Sequence, residues 1–240
     1  MRQAISHVLW HDIECGSYTA DLPLWRDLAT GQDGPVLDVG AGTGRVACDL
    51  AARGHAVVAL DADADLLAAL RSRPHGGDVE TVVADARSFA LARVFELILV
   101  PMQTVQLLGV PGRAAFLRAA RAHLAPGGIL ACAIVEQFES FDLRRNDFAT
   151  PDEREVDGVL YSSQPVSLRD EGERCAIERA RQVTTRHGRR TIAIDRTHLA
   201  RLDAATLERE GRAAGFTPEP ALAIAETADH VSSLVVILRG

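Results

Sequence analysis

Short apolar runs alternate with amphipathic segments along the first part of the chain. Five runs are apolar at almost every position, as expected for strands covered on both faces: residues 35–40, 55–61, 80–85, 95–101 and 128–136. Three segments between them carry apolar residues on one helical face: residues 44–53, 62–73 and 112–125. Repeated strand–helix–strand units with short loops predict an α/β fold, a doubly wound sheet with mostly parallel strands.

The pattern changes after residue 137 and returns after residue 200. Three segments in between predict an antiparallel three-stranded meander: residues 159–168, 174–185 and 190–200. Residues 146–158 are charged and contain Pro151 and Gly158, so we expect a loop there. One helix and two strands then complete a seven-stranded core sheet: residues 203–215, 219–226 and 233–239.

We therefore expect a core with an N-terminal helical lid, formed by residues 1–137 and 201–240, and an inserted meander at residues 138–200. Residues 19–29 predict one helix ahead of the first strand. The meander is expected to cover the substrate or to form a homodimer interface. Its arginines either recognise an anionic substrate or form a solvated face: Arg179, Arg181 and Arg196.

Composition narrows the functional classes. The chain has 240 residues and a net charge of −7, which argues against nucleic acid or an anionic membrane as a partner. It contains no lysine, so a Schiff-base mechanism is excluded. The cysteines are scattered, and no His/Asp/Glu cluster has metal-ligand spacing, so we expect no metal site and reduced thiols. The sequence shows neither a signal peptide nor a transmembrane run, which favours a cytoplasmic protein.

A glycine-rich turn follows the first predicted strand. Gly40, Gly42 and Gly44 occupy every second position and are preceded by Asp38. Glycines without a Cβ let a nucleotide-like ligand come close to the backbone. A dinucleotide turn needs a glycine where Arg45 stands, and a phosphate-binding P-loop needs a Gly-Lys-Ser/Thr sequence that is absent. The turn therefore points to a different nucleotide-like ligand.

The stretch "LDVGAGTGRVACDLAARGHAVVALD" resembles the first motif of the class I S-adenosylmethionine-dependent methyltransferases. Further pieces match that family in order: Asp61 and Asp85 after the second and third strands, "FELILVPMQTVQLL" at residues 95–108, and "LRAARAHLAPGGILACAIVE" at residues 117–136. The resemblance covers residues 36–136 and implies a Rossmann-like methyltransferase fold of the small-molecule type. It also implies S-adenosylmethionine as the cofactor.

The resemblance implies roles for the residues around the turn. It places Asp61 against both ribose hydroxyls and Asp85 against the adenine amino group, with Ala86 and Arg87 lining that pocket. Asp61 and Asp85 have an alternative reading as ordinary helix caps. The candidate cofactor-binding residues are Tyr18, Asp38, Gly40, Ala41, Gly42, Gly44, Arg45, Asp61, Ala62, Asp85, Ala86, Arg87, Pro101 and Gln103.

The expected reaction is methyl transfer to an oxygen or nitrogen of a small molecule. Residues 101–104, which face cofactor and substrate in this family, lack the Asn/Asp-Pro-Pro-Tyr/Phe motif, so we do not expect nucleobase or glutamine-amide methylation. SN2 displacement from a sulfonium needs alignment and exclusion of water, and we expect it to be metal-independent. The candidate catalytic residues are His11, Glu136 and His198, with Glu14 and Tyr161 as further general-base candidates; each is alternatively a surface or structural residue.

Two other functions remain open at this point. A protein with this fold that binds the cofactor without methyl transfer, as a cyclase or binding module, would carry the same motifs. An NAD-dependent oxidoreductase is the second alternative, because it also begins with a glycine turn after a strand.

Overall fold

The structure is a computed structural model that describes residues 7–142, 150–227 and 230–240. Its strands are β1 (Val36–Val39), β2 (Val57–Asp61), β3 (Glu80–Val83), β4 (Phe95–Val100), β5 (Leu124–Ile134), β6 (Phe141–Asp142), β7 (Asp152–Val156), β8 (Val159–Asp170), β9 (Arg174–Thr184), β10 (Arg190–Ala200), β11 (Thr217–Ile224) and β12 (Ser233–Arg239). Its helices are α1 (His7–Cys15), α2 (Leu22–Thr30), α3 (Arg45–Ala51), α4 (Ala64–Arg71), α5 (Val110–Ala122) and α6 (Ala204–Ala213).

The chain divides into two compact units. The first, which we call the sheet unit, comprises Thr19–Glu136 and Leu202–Gly240. The second, the antiparallel unit, comprises residues up to Tyr18 together with Gln137–Arg201. Helix α1 is thus grouped with the inserted strands, whereas the sequence had assigned residues 1–137 to the core.

The sheet unit is built on a seven-stranded sheet in the order β11-β12-β5-β4-β1-β2-β3. Strand β12 runs antiparallel to both of its neighbours, and the pairs formed by β1 to β5 are parallel. The predicted α/β class, with a mostly parallel seven-stranded sheet, is confirmed. The carboxyl ends of β1, β2 and β4 are adjacent at one edge of the sheet, which is where ligands bind in open α/β folds.

Apolar side chains cover both faces of this sheet. On one face, α5 and α6 contribute Phe116, Leu117 and Leu207 to a buried cluster. On the other face, α2 and α3 contribute Trp25 and Leu50. Full burial of side chains of this size stabilises a fold by roughly 1.5–3 kcal/mol each, so the sheet and its two layers form one core. Trp25 has a structural role, because its side chain is completely buried in this second cluster.

The antiparallel unit contains the three predicted meander strands and two more. Its sheet has the order β10-β9-β8-β6, and β7 also pairs with β8. The predicted loop at residues 146–158 is therefore wrong for residues 152–156, which form β7, while residues 146–149 lie outside the described residues. Charged side chains are common on exposed strands, because they keep the strand from pairing with other chains. Glu153 and Glu155 are exposed in this way.

Helix α1 packs on the sheet of its own unit. The ring of Trp10 meets the ring of Tyr161 edge-on, with centroids 5.8 Å apart, and the guanidinium of Arg181 lies 5.5 Å from the Trp10 ring. Both aromatic and cation–π contacts hold the helix in place. Among the described helices, none is long and apolar enough to cross a membrane.

Candidate active site

The glycine turn between β1 and α3 requires backbone conformations that favour glycine. Gly40, Gly42 and Gly44 have φ angles of +72°, +55° and +88°. A Cβ on Gly40 would overlap the side chain of Thr104, and one on Gly44 would lie 2.5 Å from Leu70 Cγ. Gly40 therefore lets the loop after β4 pack against the glycine turn. This requirement comes in addition to the close approach of a ligand that the sequence predicts.

Asp61, the last residue of β2, anchors the glycine turn through hydrogen bonds. Its Oδ2 accepts the N–H of Gly42 at 2.8 Å, and its Oδ1 accepts the N–H of Asp63 at 2.9 Å. A carboxylate has about four lone-pair sites, so roughly two remain for the hydroxyl donors of a ligand. Asp61 is half-buried. Its arrangement is therefore compatible with the predicted ribose contact and adds an anchoring function for the turn.

Asp38 is the third residue of β1 and is only 1% exposed. Neither of its carboxylate oxygens accepts a hydrogen bond of normal geometry among the described residues, although the backbone N–H of Ala47 on α3 lies near enough to lower its pKa. Burial raises the pKa of Asp38 to about 7, the charge of Arg45 opposes this rise, and the nearby charge of Asp61 adds to it. A buried carboxyl without well-formed hydrogen bonds is costly, so Asp38 stays a candidate for the predicted cofactor contact.

Arg45, at the start of α3, is bound by a buried acid. Its Nη1 and Nη2 donate to the two carboxylate oxygens of Asp21 at 2.5 and 2.7 Å. Asp21 is 1% exposed and also accepts the indole N–H of Trp25 at 2.7 Å. This bidentate pair ties the segment before α2 to the end of the glycine turn. Sequence patterns did not reveal this ion pair, and the cofactor contact of Arg45 stays a prediction.

Asp85 and Arg87 form an ion pair beyond the end of β3. The backbone N–H of Arg87 donates to Asp85 Oδ1 at 2.8 Å, and its guanidinium contacts both carboxylate oxygens, at 2.5 Å for Nη2. Hydrogen bonds from Arg87 lower the pKa of Asp85 to about 2, so this carboxyl is ionised at neutral pH. Ionised Asp85 is an acceptor of the kind that the predicted adenine contact requires.

The loop after β4 is strained and tightly anchored. Met102 has a φ of +55°, which is uncommon for a residue other than glycine and typical of functional loops. Gln106, 1% exposed, donates its side-chain N–H to Val135 O at 3.0 Å and accepts Val135 N–H at 2.8 Å. Sequence analysis missed Gln106, although a polar residue inside an apolar stretch was a usable signal. The predicted contacts Pro101 and Gln103 lie in this same loop.

The three predicted bases do not all belong to one unit. Glu136 follows β5 in the sheet unit, and its Oε1 accepts the N–H of Ala204 at 2.6 Å, at the start of α6. His198 and the half-buried His11 belong to the antiparallel unit. His198 Nε2 lies 3.4 Å from Glu171 Oε2. His198 is exposed, as are Ile192 and Ile194 on the same strand face.

The charged residues of the antiparallel unit pair with one another. Glu14 accepts Arg181 Nε at 2.7 Å and the Ser163 hydroxyl at 2.7 Å. Burial alone would raise the pKa of Glu14, but these bonds and the nearby Arg179 lower it below its usual value. Arg179 in turn pairs with Asp152. We therefore find Glu14 and the arginines Arg179 and Arg181 in internal ion pairs, which weakens the expectation that they meet an anionic substrate or act as a base.

Comparisons with known proteins agree with this geometry. Residues 36–128 match the family model described as a methyltransferase domain. A comparison with curated protein sequences finds no match.

Solved structures match over both units of the chain. CalS10, an amino pentose methyltransferase from Micromonospora echinaspora solved with S-adenosylmethionine bound, is 21% identical, with a TM-score of 0.73 and coverage of 100% of both chains. DesVI from Streptomyces venezuelae is 20% identical, with a TM-score of 0.73, covering 98% of this chain and 99% of its own. The sugar N-methyltransferase KedS8 from Streptoalloteichus is 19% identical, with a TM-score of 0.70 and coverage of 98% and 95%. The predicted Rossmann-like methyltransferase fold is confirmed by these structures, and residues 36–128 match a methyltransferase domain.

Proposed function

We propose that this chain, whose residues 36–128 form a methyltransferase domain, transfers the methyl group of S-adenosylmethionine to an amine nitrogen of a sugar. The observation that carries the proposal is the extent of the likeness to CalS10 and KedS8, which spans at least 98% of this chain and thus includes the inserted strands. Those proteins are described as an amino pentose methyltransferase and a sugar N-methyltransferase. Substrate class is a property of the site, so the likeness supports the proposal without replacing a test.

The residues around the glycine turn fit the cofactor. The buried carboxyl of Asp38, which accepts no hydrogen bond of normal geometry, accommodates positive charge at the turn, and Asp61 keeps lone pairs for hydroxyl donors. When bound, S-adenosylmethionine supplies a methyl group activated by its positively charged sulfur. We assign its binding to the full predicted set: Tyr18, Asp38, Gly40, Ala41, Gly42, Gly44, Arg45, Asp61, Ala62, Asp85, Ala86, Arg87, Pro101 and Gln103.

Catalysis then consists of aligning the acceptor nitrogen and removing its proton. His11, Glu136 and His198 remain the proposed proton acceptors. The carboxylate of Glu171 beside His198 supports this assignment, because a carboxylate partner orients an imidazole. Glu136 already accepts a backbone N–H, which leaves lone pairs for a second donor.

Labelled S-adenosylmethionine with matched acceptors tests the proposal. Amino sugars and the same sugars with hydroxyl in place of the amine are incubated with the full chain, and label is expected only in the amino sugars. Label only in the hydroxyl sugars would overturn N-methylation. Binding of S-adenosylhomocysteine with no labelled product would favour the alternative that the fold binds the cofactor without transfer.

A thermal-shift measurement separates the cofactor classes. A ligand at about 100 times its Kd stabilises the native state by about 2.7 kcal/mol. S-adenosylhomocysteine is therefore expected to raise Tm, and NAD is expected to leave it unchanged. Stabilisation by NAD alone would restore the oxidoreductase alternative.

Asp61→Ala is expected to weaken S-adenosylhomocysteine binding by roughly 1–3 kcal/mol, which is about 5- to 150-fold in Kd. The variant loses the acceptor for ligand hydroxyls and leaves the N–H of Gly42 without its partner. Isothermal titration calorimetry measures the change, with the exposed Asp33→Ala as the matched control. Equal affinities for the two variants would contradict the assigned role of Asp61.

Two substitutions of Glu136 distinguish a structural role of this residue from a catalytic one. Glu136→Gln keeps an oxygen that accepts the N–H of Ala204, so the free energy of unfolding should be nearly unchanged. Glu136→Ala removes the acceptor at the start of α6 and should cost about 1 kcal/mol. If Glu136 takes the acceptor's proton, both variants lower kcat. Full activity of Glu136→Gln would leave the residue with its structural role alone.

Dimerisation through the antiparallel unit stays a proposal. Among the described strands, β10 pairs only with β9, and its Ile192 and Ile194 are 64% and 60% exposed. A long strand edge with apolar side chains is a surface on which a second copy can pair. Sedimentation is expected to show a dimer for the native chain and a monomer for Ile192→Asp/Ile194→Asp; a native monomer would contradict the proposal.

The cytoplasmic location likewise stays a proposal. No disulfide joins the cysteines of the described residues, which is the state expected in a reducing compartment.

A further inference from the structure

Asp38 occupies a buried position that apolar side chains otherwise fill. It pairs in register with Ala59 of β2 and Leu99 of β4, both completely buried. Residues two apart on a strand share a face, so Asp38 lies on the side of Val36, whose cluster is packed by α2 and α3. An ionised carboxylate at such a place, with no hydrogen bond of normal geometry to either oxygen and only the backbone N–H of Ala47 nearby, loses more hydration than its surroundings replace.

The charged groups around Asp38 do not supply that compensation. Arg45 on α3 attracts the carboxylate, but its guanidinium is already bound bidentately by Asp21. Asp21, before α2, and Asp61, at the end of β2, both repel it. Two further groups on α3 face it: the backbone N–H of Ala47, which favours the charged carboxyl, and Cys48, whose pKa is raised by burial, so the thiol is neutral. Three acids therefore share one cation, so positive charge is in deficit around the turn.

We propose that Asp38 carries a proton when the glycine turn is empty and releases it to solvent when a cationic ligand binds there. The inference rests on the proposed function, because the cation is then the ammonium group at the methionine end of the cofactor. The step breaks the O–H bond of the carboxyl, the proton passes to the buffer, and the ligand's charge takes its place. Cofactor affinity thereby depends on pH through a residue that holds the ligand.

The position of the transition follows from the environment of Asp38. Its pKa of about 7 means that about half of the empty protein carries the proton at pH 7. Binding at pH 7 should release about half a proton per ligand, and the affinity should rise about tenfold from pH 6 to pH 8. Above pH 8 the contribution of Asp38 to the affinity should level off, because the carboxyl is already ionised.

Isothermal titration calorimetry of the full chain with S-adenosylhomocysteine tests this. Titrations at pH 6, 7 and 8.5 are repeated in buffers of different ionisation enthalpy, which gives the number of protons released. Asp38→Asn removes the ionisable group and keeps the shape, so its pH dependence and its proton release should fall to those of the ligand itself. The exposed Asp33→Asn should behave like the native chain.

The outcomes separate this inference from the proposed function. Absence of S-adenosylhomocysteine binding at every pH would overturn the proposed function. Binding by the native chain without proton release would overturn the role of Asp38 and leave the function intact. Equal proton release by native and Asp38→Asn proteins would assign the proton to another group and would also overturn the inference. The native titrations decide the question even if the variant does not fold.

Discussion

Replacing Asp21 with alanine is expected to lower the free energy of unfolding by about 3–5 kcal/mol, because it leaves a buried charge without its partner. The guanidinium of Arg45, 12% exposed, loses both of its carboxylate bonds, and the indole N–H of Trp25 loses its acceptor. Chemical denaturation monitored by circular dichroism measures the change. Since the pair joins the segment before α2 to the glycine turn, weaker S-adenosylhomocysteine binding should accompany the loss.

A double variant tests whether the loss comes from the unpaired charge. Asp21→Ala/Arg45→Met removes both charges and should recover a large part of the stability, as buried ion pairs replaced together often do. Asp49→Ala is the matched control, because it breaks an ion pair with Arg26 whose side chains are 31% and 19% exposed. Its cost should stay near or below about 1 kcal/mol. Equal losses of unfolding free energy for Asp21→Ala and Asp49→Ala would show that burial does not make the first ion pair more important for stability than the second.

The sheet of the first unit could be predicted from the sequence because its strands are buried on both faces. Such strands leave continuous apolar runs, and the run at residues 233–239 matches β12 residue for residue. The ends of helices are harder to predict from the sequence, because they depend on local hydrogen bonds. Helix α5, for example, spans Val110–Ala122 where residues 112–125 were predicted.

Strand β7 could not be predicted, because nothing local marks it. Its sequence is charged, and its pairing is with β8. Arg154 donates to Asp12 Oδ2 at 3.2 Å, a residue far away in the sequence. A strand that is stabilised by a neighbouring strand and by a remote charge carries no hydrophobic period of its own.

The candidate site also contains residues that could be predicted from the sequence and residues that could not. The glycine turn, Asp61 and Asp85 could be found because a ligand contact imposes residue types at fixed spacing along the chain. The pairing of Asp21 with Arg45 and of Gln106 with Val135 depends on which elements pack together. Only the tertiary structure brings these groups together, and their hydrogen bonds fix the positions of the loops that carry the predicted residues.

The free energy of unfolding should also depend strongly on pH, and this dependence again arises at Asp38. Its folded-state pKa of about 7 lies above the ordinary value of 3.8. Between these two values the native state binds more protons than the unfolded state, so the free energy of unfolding falls as pH rises. From pH 5 to pH 8 this group alone should lower the stability of the empty protein by about 3 kcal/mol, and the effect should end above pH 8.

Asp38→Asn isolates that contribution, because all other titrating groups are the same in both proteins. Urea unfolding at pH 5, 6, 7 and 8 should show a stability difference between native and variant chains that shifts by about 3 kcal/mol in favour of the variant. Asp33→Asn, at an exposed position, should show no such shift. A difference that stays constant with pH would mean that the carboxyl of Asp38 is ionised throughout. Saturating S-adenosylhomocysteine should flatten the native profile above pH 6, because bound ligand supplies the positive charge that the empty turn lacks.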